Sequence, residues 1–144
     1  MIKMAKREDL PVLSELAVSL WPQHTLRQMY EEFTPVLERE NGAVFLAWDG
    51  EKAVGFAHCQ LRYDYVEGTE STPVGYLEGI YVIEDHRRKG TARALLAQCE
   101  SWAKAKGCRE FASDCELGNT DSLKFHKSLG FEEANRIICF TKKL

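Results

Sequence analysis

The sequence predicts a single α/β domain, a mixed sheet with helices on its faces. Three observations predict it. Apolar segments with strand character alternate with segments whose apolar residues recur at helical spacing. Turn residues such as Asn41-Gly42, Asp49-Gly50 and Lys106-Gly107 punctuate them. The last two helical segments each lie between two strands, the placement of parallel crossovers. A length of 144 residues with 44% hydrophobic and 28% charged side chains suits one core, so residues 1–144 are read as one domain.

Residues 2–5 read as a short strand. Arg7-Glu8-Asp9 places acids in the first turn of a helix carrying Leu10, Leu13, Leu16, Ala17 and Leu20. That helix ends at Trp21-Pro22. Thr25 caps a second helix with Leu26, Met29, Tyr30, Phe33 and Leu37, which Pro35 is expected to kink or shorten. Ala43 to Trp48 and Ala53 to Tyr65 form a hairpin across Asp49-Gly50. A strand from about Val74 to Val82 leads into a glycine-containing loop. The helix that follows carries Ala92, Leu95, Leu96, Cys99, Trp102 and Ala103 on one stripe and stops at Lys106-Gly107. Arg109 to Asp114 is the next strand, Asn119 or Thr120 caps a helix to Leu129, and Arg136 to Thr141 reads as a final strand.

Composition narrows the function classes. No apolar stretch approaches the roughly 20 residues that cross a bilayer, and Met1 to Arg7 lacks the apolar region of a signal peptide, so a soluble, cytoplasmic protein without a membrane partner is expected. Cys59, Cys99, Cys108, Cys115 and Cys139 form an odd set without a C-x-x-C pair, which points to reduced thiols and to no metal site. A net charge of −3 argues against nucleic acid and leaves room for a cationic substrate.

The chemistry concentrates after the fourth strand. In Arg87-Arg88-Lys89-Gly90-Thr91-Ala92 the chain leaves a strand and starts a helix, so unpaired backbone N–H groups converge where phosphate binds. Gly90 and Ala92 let a ligand approach the backbone, and the basic side chains add charge. An ordinary strand-to-helix turn with a solvated basic run has the same local appearance.

This segment resembles motif A of the GNAT superfamily of N-acetyltransferases, Q/R-x-x-G-x-G/A, with Arg87, Gly90 and Ala92 at the defined positions. The resemblance extends to Leu77-Glu78-Gly79-Ile80-Tyr81-Val82 and to Phe125 through Phe131, which looks like motif B ending in L-G-F. It implies a mixed, mostly antiparallel sheet splayed between strands 4 and 5. Acetyl-CoA would lie in the splay, along Ile80, Tyr81 and Val82, with its pyrophosphate on Arg87 to Ala92. Gly79 then suits a bulge on strand 4, although a structural glycine is an equal reading.

Acetyl transfer to an amine requires loss of a proton from an ammonium, and Glu78 and Asp114 are the candidate acceptors. A closer resemblance, carried by Ser19 to His24, Tyr63 to Gly68, Leu77 to Ile80 and Phe111 to Asp114, is to aminoglycoside 6'-N-acetyltransferases. It implies that Trp21, His24, Tyr65, Glu78 and Asp114 line the aminoglycoside site, that Asn119 contacts acetyl-CoA, and that the protein is a homodimer in which Tyr65 reaches a neighbouring subunit. Trp21 also suits helix-end packing, His24 a surface position, and Tyr65 a half-buried strand. Two positions depart from the family pattern. His126 stands where many members carry a tyrosine able to protonate the leaving thiolate, and Asn135 stands where some resistance enzymes carry an acid. The rival functions are acetylation of another small amine or a protein amine, and acyl-CoA binding for regulation without turnover.

Overall fold

The computed structural model describes all 144 residues. In chain order the elements are β1 (Ile2–Met4), a 3-10 turn (Arg7–Asp9), α1 (Leu10–Leu20), α2 (Leu26–Glu38), β2 (Gly42–Asp49), β3 (Lys52–Arg62) and β4 (Val74–Val82). A second 3-10 turn (Glu84–His86), α3 (Thr91–Ala105), β5 (Phe111–Ala112) and α4 (Thr120–Ser128) follow. The five strands form one sheet in the order β1-β2-β3-β4-β5. The first four are antiparallel, and β4 and β5 run parallel. The mixed, mostly antiparallel sheet expected from the sequence is therefore present.

Two apolar layers sandwich this sheet. On one face Leu10, Leu13, Leu16 and Ala17 of α1 and Met29 and Phe33 of α2 pack on Val44, Leu46 and Phe56. On the other, Leu95, Leu96 and Cys99 of α3 pack on Phe45, Val54, Ala57, Cys59 and Leu77. The helical stripes in the sequence are the buried stripes of the helices, and period-two alternation divides each strand between the layers. Helix α2 opens with a capping box, Thr25 Oγ1 accepting from Gln28 N at 3.1 Å and Gln28 Oε1 accepting from Thr25 N at 2.8 Å. It continues through Pro35 to Glu38. The burial of Met29 and Phe33 offsets the hydrogen bond lost at the proline, so the expected shortening does not occur.

Two further expectations are corrected. The strand read at Arg109 to Asp114 is a ladder of two residues, because only Phe111 and Ala112 stay within pairing distance of β4 before the two diverge. The strand read at Arg136 to Thr141 is not formed. Residues 132–144 carry no regular structure and lie exposed, Ile137 by 61%, Ile138 by 79% and Phe140 by 88%. The apolar run has strand composition, but a strand exists only where an edge accepts its hydrogen bonds, and no edge of this chain lies alongside it.

Candidate active site

The site is built where β4 leaves β5. After the pairs Gly75–Phe111 and Tyr76–Ala112 the two strands separate, and Leu77 to Val82 lose their neighbour on that side. The register of β4 on β3 also shifts: Leu77 opposes Cys59 but Gly79 opposes His58, leaving Glu78 as the extra residue of a bulge. The bulge changes which residues face which layer. Leu77 lies in the α3 layer, and beyond the bulge Ile80 and Val82 do so instead, while Gly79 faces Trp21. The Ile83 N–H bonds Val54 on the β3 side, so alternation puts the backbone groups of Ile80 and Val82 on the open edge of the splay. Gly79 is glycine for a packing reason, since a Cβ there would lie 2.5 Å from Trp21 Cη2.

Both candidate carboxylates lie on this divergence, joined through side chains that sequence reasoning missed. Arg62, at the end of β3, holds Glu78 bidentately, Nη2 to Oε1 at 2.7 Å, Nη2 to Oε2 at 3.0 Å and Nε to Oε1 at 3.1 Å. The same guanidinium lies over the Tyr76 ring, 3.5 Å from its centroid. The Tyr76 hydroxyl donates to Asp114 Oδ2. Burial, and then the hydrogen bond to Asp114, push the Tyr76 phenol above its ordinary range, so it stays a donor at neutral pH. Arg62, Tyr76, Glu78 and Asp114 thus form one chain of contacts from β3 through β4 to the segment that follows β5. The signal for Tyr76 was present in its period-two spacing from Glu78. Arg62 showed itself only as a basic residue at a strand end.

The phosphate loop has the geometry its composition suggested. Gly90 caps α3 with φ 80°, and Arg88 before it also has a positive φ of 61°, so successive amides turn toward one concavity. The N–H groups of Arg88, Lys89, Gly90, Thr91 and Ala92 have no acceptor within the chain. A Cβ on Gly90 would meet nothing within 4 Å, so the glycine serves its backbone angle and leaves the concavity open. These free donors and the edge of β4 at Ile80 and the Val82 N–H fit the phosphates and the amide-bearing arm of coenzyme A. Arg87 turns inward, its Nε donating to the Val82 carbonyl at 2.7 Å, with its guanidinium near the Tyr81 ring. It braces the loop while its side chain stays exposed to solvent.

The remaining predicted residues divide. Trp21, at the end of α1, packs on Gly79 beside Glu78 and meets Phe56 edge-on, so it is both a packing residue and a neighbour of the bulge. His24 lies half-exposed just beyond, its N–H bonded to the Trp21 carbonyl. Tyr65 is 76% exposed after the end of β3, its hydroxyl accepting from the Gly68 N–H at 3.4 Å, and it touches none of the others. Asn119 caps α4 through Ser122 N at 3.0 Å. Asn135 donates to Glu67 Oε1 at 2.8 Å. His126 Nδ1 lies 2.8 Å from the Ser122 carbonyl and so carries the proton, which leaves Nε2 to accept from Ser113 Oγ at 2.8 Å. Ser113 also lies 3.3 Å from the Leu77 carbonyl, directly across the opening of the splay.

No group of three or more His, Cys, Asp or Glu side chains is placed to hold a metal ion, and no helix is long and apolar enough to cross a membrane.

Comparison with known proteins agrees with this geometry. Residues 10–131 match the family model described as "Acetyltransferase (GNAT) family". The aminoglycoside N(6')-acetyltransferase type 1 of Serratia marcescens is 41% identical, covering 100% of this chain and 99% of that protein. The protein of the same name from Stenotrophomonas maltophilia is 43% identical over 99% of this chain and 93% of its own length. Among solved structures, AAC(6')-Iy in complex with the bisubstrate analogue CoA-S-monomethyl-acetylneamine superposes with a TM-score of 0.95 at 38% identity, covering 100% of this chain and 98% of that one. The 6'-N-acetyltransferase AAC(6')-IG of Acinetobacter haemolyticus superposes equally well, TM-score 0.95 at 40% identity, over 100% and 99% of the two chains.

Proposed function

The chain belongs to the acetyltransferase (GNAT) family, and from that premise we propose that it transfers an acetyl group from acetyl-CoA to the 6'-amine of an aminoglycoside, a reaction that confers antibiotic resistance. The observation that carries the reading is the pair of carboxylates, Glu78 and Asp114, on either side of Tyr76 where β4 and β5 part. An amino sugar with several ammonium groups matches two acids in one cleft, and Trp21 beside Gly79 offers a flat face to a sugar ring.

Acetyl-CoA supplies the acyl group and the thiol leaving group. The amides of Arg88 to Ala92 hold its phosphates, and the open edge of Ile80 to Val82 aligns its arm as an added strand is aligned. In this reading a backbone N–H on that edge stabilises the charge that develops on the thioester oxygen. Asp114 anchors one substrate ammonium. Glu78 accepts the proton that the reacting ammonium must lose before its nitrogen becomes nucleophilic. Ser113 Oγ, which donates to His126 Nε2 and lies 3.3 Å from the Leu77 carbonyl, borders the splay, and the proton that the departing thiolate takes up balances the one that the ammonium loses.

The reading includes a homodimer with Tyr65 reaching the neighbouring site, a single domain over residues 1–144, and a cytoplasmic location. The exposed row Ile137, Ile138 and Phe140 supports an association that covers it, and the exposure of Tyr65 leaves it free to reach outward.

The test is thiol release from acetyl-CoA with kanamycin or tobramycin against an analogue lacking the 6'-amine. Release is expected with the former and not with the latter. Equal release with both would move acetylation to another amine.

A further inference from the structure

We infer that Arg62 is a displaceable counter-ion that holds the amine subsite: its guanidinium occupies the place between the Tyr76 ring and the Glu78 carboxylate that an incoming ammonium takes, so substrate binds by exchange of one cation for another. The inference rests on the reading of Glu78 as a residue that meets the amine.

The place itself has the features of an ammonium subsite. A cation there sits over an aromatic face, 3.5 Å from its centroid, and touches both oxygens of a carboxylate, while the Tyr76 hydroxyl ties the same ring to a second acid, Asp114. These contacts do not depend on a guanidinium in particular.

Asymmetry of exposure makes exchange feasible. The Arg62 side chain is 42% exposed and that of Glu78 only 19%. Arg62 is the last residue of β3 and is followed by the exposed Tyr63, Asp64 and Tyr65, so its long side chain swings into water without burying its charge. Asp64 has no ion-pair partner and is near enough in sequence to receive it. Glu78 is fixed on the bulge and cannot follow. Stripped of Arg62 with nothing in its place, it would be a largely buried, unpaired carboxylate, which is costly. Replacement by another cation keeps it paired throughout. The exchange therefore admits cations and disfavours neutral groups that would leave Glu78 without a partner.

It also frees the acid for its chemistry. While Arg62 grips both oxygens, neither is available to take a proton. Once the ammonium has replaced it, one N–H bond of that ammonium breaks and one O–H bond to Glu78 forms, leaving a neutral amine beside a neutral carboxyl.

Calorimetric titration of kanamycin into wild type, Arg62→Gln and Arg62→Lys without acetyl-CoA, at low and high salt, tests the idea apart from turnover. KM values for the amine and for acetyl-CoA complete the comparison. Arg62→Gln is expected to tighten amine binding roughly fivefold, the scale of a half-exposed ion pair. Its affinity should also fall more steeply with salt, because the amine then meets an uncompensated carboxylate. Arg62→Lys should stay near wild type, and the KM for acetyl-CoA should not move. Weaker amine binding in Arg62→Gln, restored by Arg62→Lys, would overturn the inference and make Arg62 an orienting residue for Glu78. Unchanged affinity and salt dependence would overturn it as well. If aminoglycosides neither bind nor react but another amine does, the substrate reading fails alone and the titration is run with that amine. If no amine binds, both fail.

Discussion

The two walls of the cleft differ in what supports them. All 30 buried residues lie at or before Cys108, and none lies between Arg109 and Leu144. The β4 wall is paired with β3 along its length and packed on both faces. The β5 wall consists of a two-residue ladder, a half-buried α4 and an extended tail, tied to the rest by the Tyr76 hydroxyl donating to Asp114, by Ser113 Oγ at 3.3 Å from the Leu77 carbonyl and by Arg93 Nη2 donating to the Ser128 carbonyl at 2.6 Å. A splayed sheet must have this inequality to some degree, because the hydrogen bonds that would hold the second wall are the ones the ligand uses. Precision is built into the β4 wall, which holds Glu78 and leads on to the phosphate loop. Adaptability falls to the β5 wall, where Asp114 lies just past the end of the strand.

The largest expected effect separates the walls by chemistry. Glu78→Gln should lower kcat/KM by about 10²- to 10⁴-fold, the range for loss of a general base. Asp114→Asn should act mainly through the KM of the amine, by roughly tenfold, as loss of an anchoring ion pair does. Steady-state kinetics across pH distinguishes the two, and no change in either variant would remove both carboxylates from the reaction.

Packing gives the next largest contrast. Leu95→Ala, in the buried α3 layer, should cost about 2 to 5 kcal/mol in denaturant unfolding, whereas Leu129→Ala after α4 should cost under about 1 kcal/mol at protein concentrations that keep the chain monomeric. A comparable loss at both positions would show that the second wall has a core as complete as the first. A cost for Leu129→Ala that grows with protein concentration would show that a second copy supplies it.

A third effect belongs to the packed region alone. Burial lowers the His58 pKa from its ordinary 6.5 to about 4, opposed by its hydrogen bond with Gln60, and the ring stacks edge-on against Phe33. Between those values the unfolded chain binds a proton that the folded chain does not, so stability is lost as pH falls from about 6.5 toward 4, by roughly 3 kcal/mol in all. Unfolding followed at several pH values should show that slope, and His58→Gln should flatten it. The smallest effect is at the loop. Gly90→Ala places a Cβ at φ 80°, which should cost about 1 kcal/mol of stability and raise the KM for acetyl-CoA without altering that for the amine.

The same inequality explains what the sequence made legible. In the packed region, helical stripes such as Leu95, Leu96 and Cys99 and the capping residue Thr25 are local signals, and the structure follows them closely. The phosphate loop was legible for the same reason, since a strand, a glycine and a helix start are contiguous. Ile137, Ile138 and Phe140 also carry a local signal for a strand, but pairing depends on an edge elsewhere that the run itself cannot encode. Arg62 and Tyr76 were missed because their roles come from strand register, which sets Arg62 opposite Val74 and diagonal to Tyr76, within reach of Glu78 for its long side chain. Asp114 was found through the resemblance and gained its physical meaning only from the hydroxyl it accepts.

The bulge at Glu78 acts as a shift of phase in a two-beat pattern. Up to Leu77 the odd-numbered residues of β4 belong to the α3 side, and from Ile80 the even-numbered ones do. One residue that belongs to neither count lets the strand keep step with its helices at both ends while stepping out of rhythm in the middle, and that offbeat position holds the acid. Removing a single residue between Leu77 and Gly79 would restore the rhythm and leave no position from which a side chain and its neighbour could face the same way. Insertions and deletions are usually harmless in loops and ruinous in strands. Here an inserted strand residue, kept in place, holds the proton acceptor of the proposed reaction.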